Sequence, residues 1–388
     1  MKIGICAPAD LHALAQHLGK SAEGLPRGLG STATTPLVAS LVDRGHQITL
    51  FTLSHDMDSE QRFDWGPLMI RVGPARRIHF TRDFYKREIE YLRGAIREES
   101  PPFVNAHWTY EFALGALLAR VPTLVTIHDL PWNVLRHFRD PHRTVRLMMA
   151  YSVAARCKRF TAVSQDAARH FRRYLRPDAV IDVIPNFCQD KQLVVPTSGL
   201  DSASPLTFAT VLQGWTRRKN PKPAVRAFQE IRREFPATRL LMIGEGYGPG
   251  GEANLWASSK GLAEGISFVG PLPHSEVLSV LQSEVDVLLH PSLDEAFSLT
   301  ILEAMSLSKP VIAGAKTPGV LEMLGDEAGL ARDVSDPKDI AGAMRTLIQD
   351  RSIRMALGKA GKRRTSTVFS AERVVSMYEE VYFRFTSS

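Results

Sequence analysis

The chain has 388 residues, of which 44% are hydrophobic and 23% are charged. This length exceeds what one hydrophobic core usually organises, and the composition is that of an ordinary globular protein, so we expect two domains. No apolar run reaches the roughly 18 to 20 residues of a membrane span, and Asp10 interrupts the opening before a signal peptide forms, so we predict a cytoplasmic protein. The three widely spaced cysteines argue against a disulfide framework or a zinc site.

Short apolar runs alternate with amphipathic stretches up to about residue 315, which is typical of parallel β-α-β winding. The predicted strands are 2–6, 47–53, 103–106, 122–127, 159–163 and 180–184 in a first series, and 206–212, 239–243, 266–269, 285–289 and 310–313 in a second. A Pro-, Gly- and Ser-rich stretch at 189–205 separates the series, and helices are predicted at 336–349, 351–366 and 370–386. Two doubly wound units are expected to bind a ligand in a cleft at the carboxyl ends of their strands.

The first glycine-rich motif is Gly28-Leu29-Gly30-Ser31, which precedes a predicted helix. Gly28 and Gly30 allow close approach of the backbone to phosphate, and Ser31 is placed to cap the helix. A dinucleotide fingerprint needs a third glycine and a tight turn directly after the first strand, whereas some twenty residues intervene here. A nucleotide-dependent oxidoreductase is therefore a disfavoured alternative.

His128 follows a predicted strand in Val125-Thr126-Ile127-His128-Asp129. An imidazole at the carboxyl end of a strand can hydrogen-bond a ligand hydroxyl or stabilise developing positive charge. The alternative is a histidine with a purely structural role.

The net charge of +7 lies entirely in residues 1–195, which contain 26 Lys and Arg against 19 Asp and Glu. It is densest at 136–176, where eleven basic residues face two acidic ones. This stretch predicts contact with anionic lipid headgroups or phosphate, and the alternative is a solvated helical face. Since no recognised nucleic-acid module accompanies it, we expect no nucleic-acid partner.

In the second half, Gly214-Trp215-Thr216-Arg217-Arg218-Lys219-Asn220-Pro221 follows a predicted strand. Its cations are candidates for binding an anionic ligand, and the alternative is a basic turn before the helix at 221–235. Gly244 and Gly246 end the next predicted strand, and Val269 precedes the glycine that ends the one after it. Such glycines are typical of close backbone approach to a ligand or of a simple turn.

The most specific segment runs from Pro291 to Met305 and contains Glu295 and Glu303. In one continuous helix these carboxylates would be about 80° apart at about 3.6 residues per turn. We therefore predict that Glu295 lies in a loop and that a helix starts near Ser298. The backbone N–H groups of Phe297, Ser298 and Leu299 would then bind a diphosphate, and Glu303 would accept hydrogen bonds from vicinal ribose hydroxyls.

This segment, P-S-x-x-E-x-F-x-L-x-x-x-E-A-M followed by P-V, resembles the donor-site signature of the family 4 retaining glycosyltransferases, which have the GT-B fold. The resemblance implies that Glu295 lies beside the donor sugar and Glu303 on the ribose, with His128 at the sugar site. It implies further donor contacts from Gly28, Gly30, Arg217 or Arg218, Lys219, Gly244, Gly246 and Val269. Ser298 replaces the family's usual glycine, and Trp215 replaces its usual arginine.

The resemblance also implies the domain organisation and the reaction. It predicts an acceptor-binding domain at 1–188, a linker at 189–205, a donor-binding domain at 206–365, and a helix at 366–388 that returns to the first domain. A sugar would pass with retention from a nucleotide-diphosphate sugar, based on UDP or GDP, to a hydroxyl of a lipid-linked or phosphate-bearing glycan. No cofactor and no essential metal are expected, and peripheral contact with an anionic membrane is predicted through 136–176.

Two other readings remain open. Asp56-Met57-Asp58 has the D-x-D form that holds a divalent metal in glycosyltransferases of the GT-A fold, although this leaves the second α/β unit unexplained. A two-lobed ligand-binding protein without catalysis is disfavoured by the predicted convergence of Lys219, Glu295 and Glu303.

Overall fold

The computed structural model describes residues 1–188 and 205–387, which divide into two compact units. Unit 1 contains Met1–Asn186 and the C-terminal segment from Ala371, and unit 2 contains Phe187–Ser370. Residues 189–204, which make up almost all of the predicted linker 189–205, lie outside the described residues.

Unit 1 is built on one mostly parallel sheet. Its strands are β1 (Lys2–Cys6), β2 (Gln47–Ser54), β3 (Gln61–Asp64), β4 (Leu68–Pro74), β5 (Val104–His107), β6 (Thr123–Ile127), β7 (Arg159–Ala162) and β8 (Val180–Val183). Their order is β3-β4-β2-β1-β5-β6-β7-β8, and only β3 runs antiparallel to its neighbour. The surrounding helices are α1 (Leu11–His17), α2 (Thr34–Asp43), α3 (Lys86–Glu99), α4 (Glu111–Leu118), α5 (Pro131–Phe138), α6 (Pro141–Arg156) and α7 (Gln165–Tyr174).

Unit 2 contains a second, fully parallel sheet. Its strands are β9 (Thr207–Val211), β10 (Arg239–Ile243), β11 (Ile266–Gly270), β12 (Val287–His290), β13 (Val311–Gly314) and β14 (Gly329–Arg332), in the order β11-β10-β9-β12-β13-β14. Its helices are α8 (Pro221–Glu234), α9 (Glu252–Ser259), α10 (His274–Ser283), α11 (Leu299–Ser306), α12 (Pro318–Leu324), α13 (Pro337–Gln349) and α14 (Arg351–Thr367).

The last helix, α15 (Ala371–Thr386), belongs to unit 1. The buried Tyr382 hydroxyl donates to Asn105 Oδ1 on β5 at 2.7 Å. Glu379 receives hydrogen bonds from Arg44 at 2.5 Å and His46 at 2.7 Å, next to the end of α2. The helix is therefore held by one buried hydrogen bond and by more exposed polar bonds, as well as by its apolar face.

The sequence pattern missed three strands, β3, β4 and β14. In β4, Arg71 interrupts the apolar run, yet it is only 4% exposed because Glu60, Glu98 and Glu99 bind its guanidinium at 2.5 to 2.7 Å. β3 is a largely exposed edge strand, and β14 has only four residues. Because Arg71 is buried by carboxylates far away in the sequence, the alternation of polar and apolar residues does not reveal β4.

The carboxyl ends of several strands lead to histidines or to a predicted ligand-binding glycine. β5 and β6 lead to His107 and His128 in unit 1, and β10 and β12 lead to Gly244 and His290 in unit 2. Because parallel strands end at the same edge, each sheet gathers these residues along one edge.

Tyr382→Phe is expected to lower the free energy of unfolding by about 1 to 3 kcal/mol, because Asn105 Oδ1 would lose its buried donor. Urea denaturation of the full chain measures this. The matched control is Tyr174→Phe, at a ring that is 40% exposed, with an expected change within about 0.5 kcal/mol. Equal effects of the two substitutions would contradict a stabilising role for the buried bond.

Candidate functional site

Glu295 lies in the loop between β12 and α11 and is only 7% exposed. Lys219 Nζ donates to its Oε1 at 2.5 Å, and Arg218 Nη2 lies 3.5 Å from its Oε2. Arg218 Nε also lies 3.3 Å from the Asp294 carboxylate. Two carboxylates and two cations therefore form a charge-balanced cluster.

Burial raises the pKa of Glu295, but Lys219, His290 and Arg218 outweigh this effect and hold its pKa well below the ordinary range. Burial also lowers the pKa of His290, whose Nε2 lies 3.4 Å from Glu295 Oε1. At neutral pH the cluster thus contains an ionised glutamate beside an uncharged histidine.

A cavity of about 280 Å³ opens beside this cluster in unit 2. It is lined by Val211, Leu212, Gln213, Lys219, Ile243, Gly244, Pro271, Leu272, Val277, His290, Glu295, Phe297, Ser298, Leu299 and Thr300. Six of the predicted donor residues are therefore brought together: Lys219, Gly244, Glu295, Phe297, Ser298 and Leu299. Arg217, Arg218, Gly246, Val269 and Glu303 do not line this cavity.

The helix predicted to begin near Ser298 is α11, for which Ser298 is the N-cap. Its hydroxyl accepts from Ile301 N at 3.4 Å, and its φ of −105° needs no glycine, so serine fits where the family has glycine. One expectation is corrected: the Ser298 N–H donates to Met323 Sδ at 3.2 Å instead of facing the cavity. Thr300, which was not predicted, lines the cavity beside Leu299 in the first turn.

Gly319 explains how α12 approaches this loop. A Cβ at Gly319 would lie 2.4 Å from the Glu295 carbonyl oxygen and 2.5 Å from that of Ala296. Only glycine permits this contact, so α12 supports the backbone that carries Glu295.

The loop after β9 separates its two arginines. Arg218 points to Asp294 and Glu295, whereas Arg217 is exposed and has no hydrogen bond or ion pair with the described residues. Trp215 lies at the family's arginine position and packs against two aromatic rings. Its ring centroid is 5.7 Å from that of Tyr247 and 5.5 Å from that of Trp256. The tryptophan that replaces the arginine is thus part of an aromatic cluster.

Glu303 is buried on α11, and its Oε1 accepts a hydrogen bond from His274 Nε2 at 2.7 Å. The sequence interpretation missed His274, which starts α10. It also missed His290, although this histidine ends a strand in the same way that drew attention to His128.

The predicted glycines approach protein backbone. A Cβ at Gly244, whose φ is +126°, would lie 1.9 Å from the Leu212 carbonyl oxygen, and one at Gly28 would lie 2.2 Å from the Ala9 carbonyl oxygen. Gly30 is exposed with open space around it, and Gly246 lies against Trp215 and Glu252. Close packing within each unit therefore accounts for Gly28 and Gly244, while part-buried Val269 packs against a core cluster of unit 2.

In unit 1, His128 Nε2 lies 2.9 Å from His107 Nδ1, and its ring stacks on Trp108 with centroids 4.2 Å apart. Burial lowers the pKa of His128 to about 3 and also lowers that of His107. Both imidazoles are therefore uncharged at neutral pH, which suits hydrogen bonding and not charge pairing.

Most of the basic residues of 136–176 contact groups within unit 1. Arg143 pairs with Asp140, Arg176 with Asp178, and Arg146 lies 3.8 Å from the centre of the Tyr110 ring. Arg172 donates to backbone carbonyls. The exposed basic residues of the stretch are Arg136, Arg139, Arg156, Lys158, Arg159, Arg169 and Arg173. Several arginines of the stretch are thus engaged within unit 1, while most of its positive charge stays at the surface.

Asp56 of the D-x-D element forms an ion pair with Arg77 at 2.9 Å. Within residues 1–188 and 205–387, no group of three or more His, Cys, Asp or Glu side chains is arranged to hold a metal ion. Among the helices described for this chain, none combines the length and apolarity of a membrane span.

Comparison with known families matches both halves of the chain. The profile described as "Glycosyltransferase Family 4" matches residues 30–191, and the one described as "Glycosyl transferases group 1" matches residues 207–364. These matches agree with the resemblance of the Glu295-to-Glu303 segment, and the comparisons support neither the oxidoreductase nor the ligand-binding alternative.

Two relatives and one solved structure illustrate the similarity. A D-inositol 3-phosphate glycosyltransferase of Geodermatophilus obscurus is 31% identical over 381 residues, which are 88% of this chain and 81% of the relative. One of Corynebacterium jeikeium is 31% identical over 190 residues, so the match spans 45% of this chain and less than half, 45%, of that relative. The sucrose-phosphate synthase of Thermosynechococcus elongatus has a TM-score of 0.76 at 18% identity, with 100% of both chains covered, which confirms the fold. The chain belongs to the family 4 glycosyltransferases and has their GT-B fold.

Proposed function

We propose that this chain transfers a sugar from a nucleotide-diphosphate sugar to a hydroxyl acceptor, with retention of anomeric configuration and without an essential metal ion. The observation that carries this proposal is the cluster of part-buried Lys219 and Arg218 around buried Glu295, beside the first turn of α11. Lys219, Glu295 and the first turn of α11 line one cavity, and Arg218 pairs with Glu295 from outside its lining.

The cations of this cluster provide the chemistry that a leaving diphosphate needs. Negative charge grows on the diphosphate as the glycosidic bond breaks, and groups already in place stabilise it without reorganisation. Lys219 and Arg218 neutralise Glu295 and Asp294 in the free protein, and a bound diphosphate would share these two cations. The N–H groups of Leu299 and Thr300, at the positive end of α11, add donors for the same anion.

Glu295 has a different role in this proposal. A carboxyl group with a strongly lowered pKa stays ionised, so it cannot donate a proton to the leaving group. It can accept hydrogen bonds from sugar hydroxyls and stabilise an oxocarbenium-like transition state. We propose that the departing phosphate takes the acceptor's proton on the same face, which yields retention.

The relatives suggest the first acceptor to test. Those named above are called D-inositol 3-phosphate glycosyltransferases, and we propose a phosphate-bearing cyclitol or sugar as the acceptor. The surplus of positive charge in residues 1–195 favours an anionic acceptor. A lipid-linked glycan is the second acceptor class to assay.

Nucleoside diphosphates are expected to stabilise the full chain against thermal unfolding in EDTA, by about 2.7 kcal/mol at a hundred times their Kd. A panel of UDP, GDP and ADP with their sugars identifies the donor, and NAD serves as the control ligand. NMR coupling constants of the first product report its anomeric configuration. Strict dependence on a divalent ion would contradict the metal-free part, and an inverted product would contradict retention.

Arg218→Met is expected to lower kcat/KM by about a hundredfold, because the leaving diphosphate would lose one of its two cations. Arg217→Met removes the same charge from the neighbouring exposed position and is the matched control, with a change within about twofold. Steady-state kinetics with the selected donor measures both. A larger loss for Arg217→Met would move the diphosphate contact to that residue.

Glu303→Ala is expected to abolish discrimination between the selected nucleoside diphosphate and its 2′-deoxy analogue. The unsubstituted chain should prefer the ribose form by about tenfold, the size of one hydrogen bond to a charged group. Calorimetric titration measures the four dissociation constants, and Glu276→Ala, at an exposed position of α10, is the control. Retained discrimination in Glu303→Ala would exclude Glu303 from the ribose site.

We also propose peripheral contact of unit 1 with anionic membrane through 136–176 and its neighbours. Trp132 Nε1 donates to the Tyr151 hydroxyl at 3.0 Å, and this hydroxyl donates to the Tyr174 carbonyl at 3.0 Å. Met148 and Tyr151, three residues apart on α6, are 54% and 41% exposed. We call Trp132, Met148, Tyr151 and Tyr174 the aromatic patch. Exposed Arg136 on α5, Arg139 directly after α5, and Arg169 and Arg173 on α7 supply charge in the same stretch.

Binding to phosphatidylglycerol vesicles is expected to weaken by about tenfold in the double substitution Met148→Ser and Tyr174→Ser, since apolar area is lost from the patch. Co-sedimentation measures this at low and high salt. Leu255→Ser, at a side chain of unit 2 that is 62% exposed, is the control. Equal binding to zwitterionic vesicles, or an equal effect of the control, would contradict the proposal.

A further inference from the structure

Two histidines that end neighbouring strands of unit 1 share one hydrogen bond. His107 closes β5 and is only 1% exposed, whereas His128 follows β6 and is part-exposed. Their contact joins His107 Nδ1 to His128 Nε2 at 2.9 Å. Since each neutral imidazole carries a single N–H, one ring must donate and the other must accept.

The surroundings of His107 decide which ring donates. Its Nε2 is buried and has no hydrogen-bond partner among the residues that the structure describes. A proton on this nitrogen would be a buried N–H without an acceptor, which is rarer and costlier than a lone pair without a donor. The proton of His107 therefore belongs on Nδ1, where it is donated to His128 Nε2.

Trp108 holds the His128 ring from a second side. The two rings are stacked, with an interplanar angle of 22° and centroids 4.2 Å apart. Trp108 has a left-handed φ of +62°, and its N–H donates to the Thr126 carbonyl at 2.9 Å. A bulky residue in this conformation is strained and persists where the surroundings impose it, often at functional sites.

We propose that His107 and Trp108 are positioning residues that fix the ring of His128 and leave its single proton on Nδ1. His128 then presents a hydrogen-bond donor from its part-exposed side, so the group that it contacts is an oxygen lone pair. That this oxygen belongs to the transferred sugar rests on the proposed function. The tautomer itself does not.

The tautomer is measured by two-bond ¹H–¹⁵N spectra of the full chain labelled with ¹⁵N-histidine, with His128 assigned by its loss in His128→Asn. We expect the Nδ1–H pattern for His128, and a shift toward Nε2–H in His107→Leu. An Nε2–H pattern in the unsubstituted chain would overturn the proposal. The NMR measurement tests the tautomer even if no sugar transfer is found. In that case the proposed function fails, and the proposal on His107 and Trp108 does not.

Kinetics separate a positioning role from a structural one. His107→Leu is expected to lower kcat/KM by about tenfold to a hundredfold, the size expected when a contacting group is misplaced. His107→Asn, whose amide nitrogen takes the place of Nδ1, should recover activity to within about threefold because one charge-free donor is restored.

The decisive comparison is His107→Leu in a His128→Ala background, where we expect no further loss because His107 acts through His128. A further loss there, or unchanged kcat/KM in His107→Leu, would overturn the proposal. Should His107→Leu fail to fold, His107→Gln replaces it, since its amide reaches toward Nε2 and supplies no donor at Nδ1.

Discussion

A buried carboxylate that remains ionised organises the site of unit 2. Removing the charge of Glu295 from water is costly, and the arrangement is stable only because Lys219 and Arg218 reach it from the loop after β9. The same two loops are joined by Leu293 N donating to the Arg218 carbonyl at 2.9 Å, and by Asn220 donating to the Pro291 carbonyl at 3.2 Å. Charge and backbone bonding together determine where α11 begins and where its free N–H groups lie.

The two units have a histidine in equivalent positions but in different surroundings. Both present a histidine at the carboxyl end of a parallel strand, and burial keeps His128 and His290 uncharged. In unit 1 the neighbour of that histidine is a second neutral imidazole, so the edge supplies hydrogen bonds. In unit 2 the neighbours are ionised, so the edge supplies charge.

Glycine and charge patterns indicated where chemistry could occur but not what the residues touch. Gly28 and Gly244 do sit where backbone approaches closely, yet the approaching groups are the carbonyls of Ala9 and Leu212. The basic stretch 136–176 likewise contains many arginines, but several of them bind carboxylates, carbonyls or the Tyr110 ring within unit 1. The residue type shows that a small or a charged side chain is required at a position. Which group contacts that position depends on parts of the chain that are distant in sequence.

Local pattern was sufficient for the two α/β units, for α15, and for the family to which the Glu295-to-Glu303 segment belongs, because strand periodicity and motif spacing are properties of consecutive residues. Tertiary structure alone decided that Arg218 and not Arg217 meets Glu295, that Trp215 joins an aromatic cluster, and that the Ser298 N–H turns to a methionine sulfur. It also decided that β4 is a strand despite Arg71. Each of these outcomes depends on burial and on partners far away in the chain, and those contacts form only when the units fold.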